Sequence, residues 1–209
     1  MKFTPINLLR QLQKSYKFLS HLSRIIGHCY QKLTKLTFNP LAKFPKAQIV
    51  PTETDPDFRE GTLQGYVHDP SAALLGGVSG HAGLFANAAD LAAIGQMLLN
   101  NGFYNGQRFL NPATIMEFAE RQSPHSRRGL GFDKPENTPG KASPASHKAS
   151  NLCFGHTGFT GTCMWVDPEN GLVYVFLSNR VHPTANNKLL ISLNARTDIM
   201  DVIYDALKL

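Results

Sequence analysis

A short polar segment interrupts an apolar stretch late in the chain. Gly155-His156-Thr157-Gly158 follows Phe154, so that two glycines flank a histidine and a threonine. Glycine lets a backbone approach a ligand closely, threonine offers a hydroxyl, and histidine can carry a proton near neutral pH. The tetrapeptide by itself favours a plain turn at a strand end, with a hydrogen-bonded histidine, over a ligand site.

The surrounding sequence favours the second interpretation. Residues 154–180 join this tetrapeptide to a hairpin, and residues 76–102 form a glycine-rich turn followed by a helix. Four shorter segments stand in a consistent order with them: LTFNPL, YVHDPSAALLGG, RRGLGFDKPE and LSNRVHPT. Over residues 35–209 the chain resembles the bacterial penicillin-recognising serine hydrolases, a family of class C-like β-lactamases, D,D-peptidases and related esterases.

The resemblance implies a covalent mechanism in which a serine attacks an amide or ester carbonyl and water releases the acyl group. The family uses Ser-x-x-Lys, Tyr-x-Asn or Ser-x-Asn, and Lys/His-Thr-Gly. The third motif maps onto His156, Thr157 and Gly158. It implies a positive or hydrogen-bonding group at His156, a substrate-binding hydroxyl at Thr157 and an oxyanion-hole N–H at Phe159. Arg180 is expected either to steer a substrate carboxylate or to be an ordinary surface arginine.

Two of the three motifs are missing from the chain. No Ser-x-x-Lys occurs among the 209 residues; residues 15–17 (SYK) and 146–148 (SHK) have a spacing of two. Residues i and i+2 do not share a helix face, whereas i and i+3 do. No Tyr-x-Asn precedes the third motif either. We therefore expect a C-terminal fragment that is inactive alone. Two alternatives stay open: a non-catalytic ligand-binding or scaffold protein, and one half of a complemented enzyme.

Two helices are predicted ahead of the motif. Asn87 is a good N-cap with Asp90 three residues later, and Gly102 suits the position just after the helix end. A second helix is predicted from Asn111, with Pro112 at its first position. Both helices precede the strand that carries the motif.

Three strands and a closing helix are predicted around and after the motif. A turn over residues 167–171 (DPENG) predicts a hairpin and hence an antiparallel sheet. Residues 135–150 are predicted to form a mobile surface loop. The strands are expected at 152–158, 161–167 and 172–179, and the helix at 197–208. This order predicts an α+β fold, the C-terminal part of the β-lactamase/transpeptidase-like fold, with an antiparallel sheet flanked by helices.

The first 34 residues differ from the rest in charge. Nine lysines and arginines precede the first acidic residue, Glu53, whereas residues 53–209 hold 12 basic and 15 acidic side chains. Apolar residues at helical spacing over 5–33 predict a basic amphipathic helix. Residues 1–34 are thus set apart from a domain over 35–209. Three explanations stay open for this segment. It is a helix whose basic face is simply exposed to water, the product of a truncated or frame-shifted gene, or a helix that contacts a membrane or a partner.

The remaining features bear on partners and cofactors. No apolar run is long enough to predict a membrane span, the three cysteines do not suggest a disulfide framework, and no metal-ligand spacing occurs. We expect no cofactor, no metal and no nucleic-acid partner, and a small-molecule or peptide substrate once a serine-bearing half is supplied. Self-association is expected through residues 172–179, which are uncharged. The family is often found in the bacterial periplasm or cell envelope, but without a recognisable signal peptide the compartment is left open.

Overall fold

The computed structural model describes residues 33–207. Residues 1–32 lie outside the described residues, and with them the predicted helix over 5–33 except Leu33 and the basic segment 1–34 except its last two residues. The described chain divides into two compact units, residues 33–51 with 55–86 and residues 52–54 with 87–207. The boundary between residues 34 and 35 stays a prediction.

Short elements make up most of the described chain. The strands are β1 (Thr37–Phe38), β2 (Thr54–Asp55), β3 (Gly61–Thr62), β4 (Leu84–Phe85), β5 (Phe103–Tyr104), β6 (Gln107–Arg108), β7 (Phe154–Thr157), β8 (Cys163–Asp167) and β9 (Leu172–Phe176). The helices are α1 (Pro70–Leu74), α2 (Ala88–Leu99), α3 (Pro112–Ala119), α4 (Leu189–Ser192) and α5 (Ala195–Leu207), with single 3-10 turns at Pro40–Ala42 and Lys46–Gln48. Between residues 33 and 207 no helix is both long and apolar enough to cross a membrane.

The second unit is built on the sheet β7-β8-β9, in which each strand runs antiparallel to its neighbour. His156 lies opposite Met164 in β8, and Met164 lies opposite Val175 in β9. The hairpin between β8 and β9 turns where the sequence predicts, with Gly171 in the left-handed region at φ 63°. The three predicted strands and the α+β class are confirmed, although the first two strands begin two residues later than predicted and the first and third end at Thr157 and Phe176, before the predicted ends.

The helix caps follow their local sequences. The Asn87 side chain accepts a hydrogen bond from the Asp90 N–H at 2.8 Å, and the Asn111 side chain accepts one from the Ala113 N–H at 3.0 Å. The end of α2 differs from the prediction by one residue. Asn101, at φ 53°, occupies the left-handed position after the helix, where glycine is usual and asparagine occurs less often.

Helix α2 packs against the β8–β9 face of the sheet. Gly95 makes this close approach feasible, because a Cβ atom at that position would collide with Cγ1 of Val173. A glycine inside a helix costs about 1 kcal/mol relative to alanine. The close packing of α2 on β9 therefore accounts for a residue that weakens the helix.

The core lies on the side of the sheet covered by α5. Trp165 is 1% exposed, and it packs among seven other buried residues. These are Ala145, Ala149, Cys153, Cys163, Tyr174, Met200 and Tyr204.

The predicted surface loop over 135–150 is wrong for its second half. Ala145 and Ser146 are fully buried and Ala149 nearly so, and the Ser146 hydroxyl donates to the carboxylate of Asp201 in α5. Small residues contribute little hydrophobic signal to a sequence pattern, yet they fit well where a chain passes close beneath a helix.

Candidate active site

Strand β7 carries the Gly155–Gly158 segment to one end of the sheet. Phe154 and Gly155 are buried, His156 is exposed and Thr157 is half-buried. The Gly158 N–H then donates to the Thr162 carbonyl at 2.7 Å and turns the chain back into β8. The polar pair therefore projects from a strand whose first half is anchored in the core.

Gly155 is required by its neighbours. A Cβ atom at this position would lie 2.7 Å from Cε3 of Trp165 and would collide with the Met164 carbonyl. On the other side of β7, the Gly155 carbonyl accepts from the Asp133 N–H at 2.7 Å, and the Gly155 N–H donates to the Asp133 carbonyl at 3.0 Å. The strand is thus held on both sides at the residue before His156.

The His156 imidazole lies within hydrogen-bond distance of two groups, one at each ring nitrogen. Nδ1 lies 2.7 Å from the Thr157 carbonyl oxygen, and Nε2 lies 2.9 Å from Nη1 of Arg128. A carbonyl can only accept and a guanidinium can only donate. For both contacts to be hydrogen bonds, Nδ1 must donate and Nε2 must accept.

Two arginines and a buried aspartate stand behind His156. The Asp133 carboxylate is nearly inaccessible to solvent, and its Oδ2 accepts from Nη2 of Arg127 at 2.8 Å. Nε of Arg127 lies 2.7 Å from Oδ1, close enough for an ion pair but not aligned as a hydrogen bond. Nη2 of Arg128 lies 3.3 Å from Oδ2. A buried carboxylate needs such partners, because an isolated charge in the interior is very costly.

Phe159 and Arg180, the other two predicted site residues, contact each other. Phe159 is 62% exposed, and the guanidinium carbon of Arg180 lies 4.7 Å from the centroid of its ring. Arg180 is only 7% exposed, and its Nη1 donates to the carbonyls of Ala185 and Asn187 at 3.1 and 3.0 Å. It is therefore not an ordinary surface arginine. Its role in steering a substrate carboxylate, and that of the Phe159 N–H as an oxyanion donor, stay predictions.

Neither thiol near the motif is suited to act as a nucleophile. Burial raises the pKa of Cys163 to about 11 and that of Cys153 still further. The thiolate is the reactive form of cysteine. Both side chains thus remain protonated, buried thiols at neutral pH.

A serine–histidine–aspartate array lies in the first unit. Ser79 Oγ is 2.7 Å from His81 Nδ1, and His81 Nε2 is 3.0 Å from Asp69 Oδ1. That same oxygen accepts the Ala72 N–H at 2.8 Å and caps α1. This backbone bond and His81 hold the pKa of Asp69 below its usual value. Because the His81 and Asp69 side chains are 54% and 39% exposed, we interpret the array as a hydrogen-bonded link between the start of α1 and the 79–81 turn.

The sequence interpretation missed Arg128 and Asp133. Both lie within the segment RRGLGFDKPE, which contributed to the resemblance without a role for any residue. The only local signal was a pair of arginines followed by an acid. Among the described residues, no group of three histidine, cysteine or acidic side chains is placed to hold a metal ion.

Comparison with known proteins gives a family match. The family model described as "Beta-lactamase" matches residues 31–197. A protein of Salmonella gallinarum, whose name assigns it provisionally to the D-alanyl-D-alanine carboxypeptidases, is 37% identical over 198 residues. The match covers 84% of this chain but 45% of that protein, so the chain spans about half the length of the curated relatives it matches.

Two solved structures are also similar. A β-lactamase from Mycobacterium bovis is 22% identical, with a TM-score of 0.46, over 61% of this chain and 47% of its own. A penicillin-binding protein homologue from Caulobacter crescentus is 26% identical, with a TM-score of 0.38, over 47% of this chain and 27% of its own. Because the family model matches most of the chain, including the whole His156–Thr157–Gly158 motif, the chain belongs to the β-lactamase family of penicillin-recognising serine hydrolases.

Proposed function

We propose that this chain supplies the third-motif side of an acyl-transfer site and does not form an acyl-enzyme by itself. The observation that carries the proposal is the end of β7, where His156 and Thr157 project beside Arg128 from a strand held in the core by Gly155. The 209 residues contain no Ser-x-x-Lys to supply the nucleophile. The chain would thus contribute substrate-binding groups and not the attacking serine.

The proposed chemistry divides into a serine attack and its electrostatic support. A serine and its base make and break the acyl bond, and donors aimed at the developing oxyanion lower the barrier. The Thr157 hydroxyl would bind a polar substrate group, and the Phe159 N–H would be one oxyanion donor. The substrate would be an amide or ester carbonyl compound, and the names of the relatives favour a D-alanyl-D-alanine peptide within that class.

Two other functions follow from the missing nucleophile. The chain could bind an acylated peptide or a sugar peptide without reacting, as a ligand-binding or scaffold protein. It could also form one half of an enzyme that a second polypeptide completes. In both functions the ligand binds at the same end of β7. Only a measurement of reactivity can therefore distinguish them.

The full chain is expected to form no stoichiometric covalent adduct with benzylpenicillin or with a fluorophosphonate. The physical reason is that no serine in the chain is followed by a lysine three residues later, the spacing that would place the lysine on the same helix face to take the serine's proton. Intact-protein mass spectrometry after incubation measures the adduct, with an acylating β-lactamase as positive control. A stoichiometric adduct on a serine of the chain would contradict the proposal.

Complementation distinguishes the remaining functions. The chain is co-expressed with the part of the Salmonella relative that its match does not cover, and hydrolysis of a chromogenic ester or cephalosporin is followed. If activity appears, Thr157→Val should lower kcat/KM about tenfold or more, because one lost hydrogen bond of about 1.4 kcal/mol is worth a factor of ten. Thr157→Ser keeps the hydroxyl and should retain most activity. Benzylpenicillin binding to the chain alone, without an adduct or turnover, would favour the non-catalytic function.

Self-association through the β9 edge is also proposed. Within residues 33–207, β9 pairs only with β8, and residues 172–179 contain no charged side chain. An open, uncharged strand edge is a template for pairing with another copy. We expect the full chain to elute as a concentration-dependent oligomer on size exclusion with light scattering, and Val175→Lys to shift it toward monomer. A sharp monomer peak at all concentrations, with a cooperative melt, would contradict this.

A further inference from the structure

The Arg128–His156 contact joins residues 28 positions apart in the sequence. Arg128 is half-exposed, and an exposed arginine loses side-chain entropy when it is held in one place. Here the guanidinium is tied at two points, by Nη1 to Nε2 of His156 at 2.9 Å and by Nη2 to Oδ2 of Asp133 at 3.3 Å. It therefore bridges a buried carboxylate and an exposed imidazole.

Asp133 sets the position of this bridge. Its backbone is paired in both directions with Gly155, the residue before His156, at 2.7 and 3.0 Å. Its Oδ1 also accepts the Lys134 N–H at 2.9 Å, which fixes the carboxylate. The backbone pairing of Asp133 with Gly155 fixes the position of the Asp133 carboxylate relative to His156. The Arg128 guanidinium, which contacts that carboxylate, is therefore held beside the imidazole.

We infer that Arg128 is a positioning residue that holds His156 as the neutral, Nδ1-protonated tautomer and itself carries the positive charge at the third motif. The inference deepens the proposed function, because it rests on the His156 strand end being the acyl-transfer site. A protonated His156 would turn an Nε2–H donor toward the Arg128 donor and place two positive charges within hydrogen-bond distance. The neutral ring instead accepts from Arg128 and donates to the Thr157 carbonyl.

The two contacts of the His156 ring determine whether His156 or Arg128 can donate a hydrogen bond to a ligand. With Nε2 used as an acceptor and Nδ1 bonded to its own strand, His156 in this arrangement has no N–H to offer a ligand. Hydrogen-bond donation at this point would come from Arg128, whose guanidinium has five N–H groups. His156 would then orient Arg128, and Arg128 would fix the state of His156.

The test is the protonation pattern of the His156 ring in the full chain. The protein is labelled with nitrogen-15 in its histidines, and long-range nitrogen–proton correlation spectra at neutral pH distinguish the two neutral tautomers from the imidazolium. The signal that disappears in His156→Gln is assigned to His156. We expect the wild-type ring to be neutral with the proton on Nδ1. Arg128→Met should replace that single pattern by a mixture of forms, whereas Arg128→Lys, which keeps a charged donor, should retain most of it.

Arg121→Met is the matched control, since the Arg121 guanidinium donates to the Ser126 carbonyl at 2.7 Å and takes no part in the bridge. It should leave the His156 pattern unchanged. A wild-type ring that is imidazolium or Nε2-protonated would overturn the inference, even if Arg128→Met does not fold. An unchanged pattern in folded Arg128→Met would also overturn it. Because the spectra require no turnover, they stand apart from the acylation and complementation results.

Discussion

Replacing Asp167 with alanine is expected to lower the free energy of unfolding by about 3–5 kcal/mol, a large share of the roughly 5–15 kcal/mol that stabilises a domain. The Asp167 carboxylate is 1% exposed and lies at the end of β8. It accepts from the Tyr204 hydroxyl at 2.6 Å, from the Ser150 N–H and hydroxyl at 2.9 and 2.5 Å, and from the Asn170 amide at 2.9 Å. Alanine would leave these donors without their acceptor.

The same carboxylate should make stability depend on pH. Burial alone would raise the pKa of Asp167, but hydrogen bonds from Ser150 and Tyr204 outweigh burial and hold the pKa below its ordinary value. A carboxyl with a lower pKa in the folded state stabilises above its unfolded pKa of about 4, and this contribution is lost as pH falls through the folded value. Asp167→Asn, which keeps the size of the side chain, should therefore lose less stability than alanine and flatten this acid dependence.

Urea unfolding of the full chain, followed by circular dichroism between neutral and acid pH, measures both effects. Asp205→Ala is the matched control, because Asp205 is an exposed acid in α5 that pairs with Lys148 at the surface. Exposed ion pairs are worth about 0–1 kcal/mol. Equal losses for Asp167→Ala and Asp205→Ala would refute the role assigned to the Asp167 network.

Replacing Trp165 with alanine is expected to destabilise the chain by about 3–5 kcal/mol, through lost burial and the cavity left behind. Trp165 is the largest fully buried side chain in the described chain. Its ring also lies beneath Gly155, which precedes the His156–Thr157 pair. The variant should therefore loosen β7 as well as the core.

Hydrogen exchange measured by mass spectrometry tests the local part of this expectation. The amides of residues 154–157 should exchange faster in Trp165→Ala than in Trp165→Phe, which keeps an aromatic ring. Val202→Ala removes an apolar side chain that is 65% exposed, and it should change neither stability nor exchange appreciably. A loss below about 1 kcal/mol for Trp165→Ala would mean that the core is not organised around this residue.

Local features of the fold could be predicted from the sequence because each depends on a few neighbouring residues. Asn87 and Asn111 cap the helices that they were expected to start, since an N-cap needs only a side-chain oxygen within reach of an N–H two or three residues later. The β8–β9 hairpin follows from its turn residues in the same way. The end of α2 shows the limit of such rules. Asn101 and Gly102 are both suited to the left-handed conformation, and Asn101, not the predicted Gly102, is the first residue after the helix end to adopt it.

The sequence by itself determined the family, the α+β class and the strand that carries His156, Thr157 and Gly158, because these are recorded in contiguous segments. Only the tertiary structure decided which distant side chains surround that strand. Arg128 reaches His156 across 28 residues, Arg180 is buried against Phe159, and Ser146 lies beneath α5 with Asp201. Each of these contacts depends on how separate segments pack against one another, and residue spacing along a chain carries no direct record of that packing.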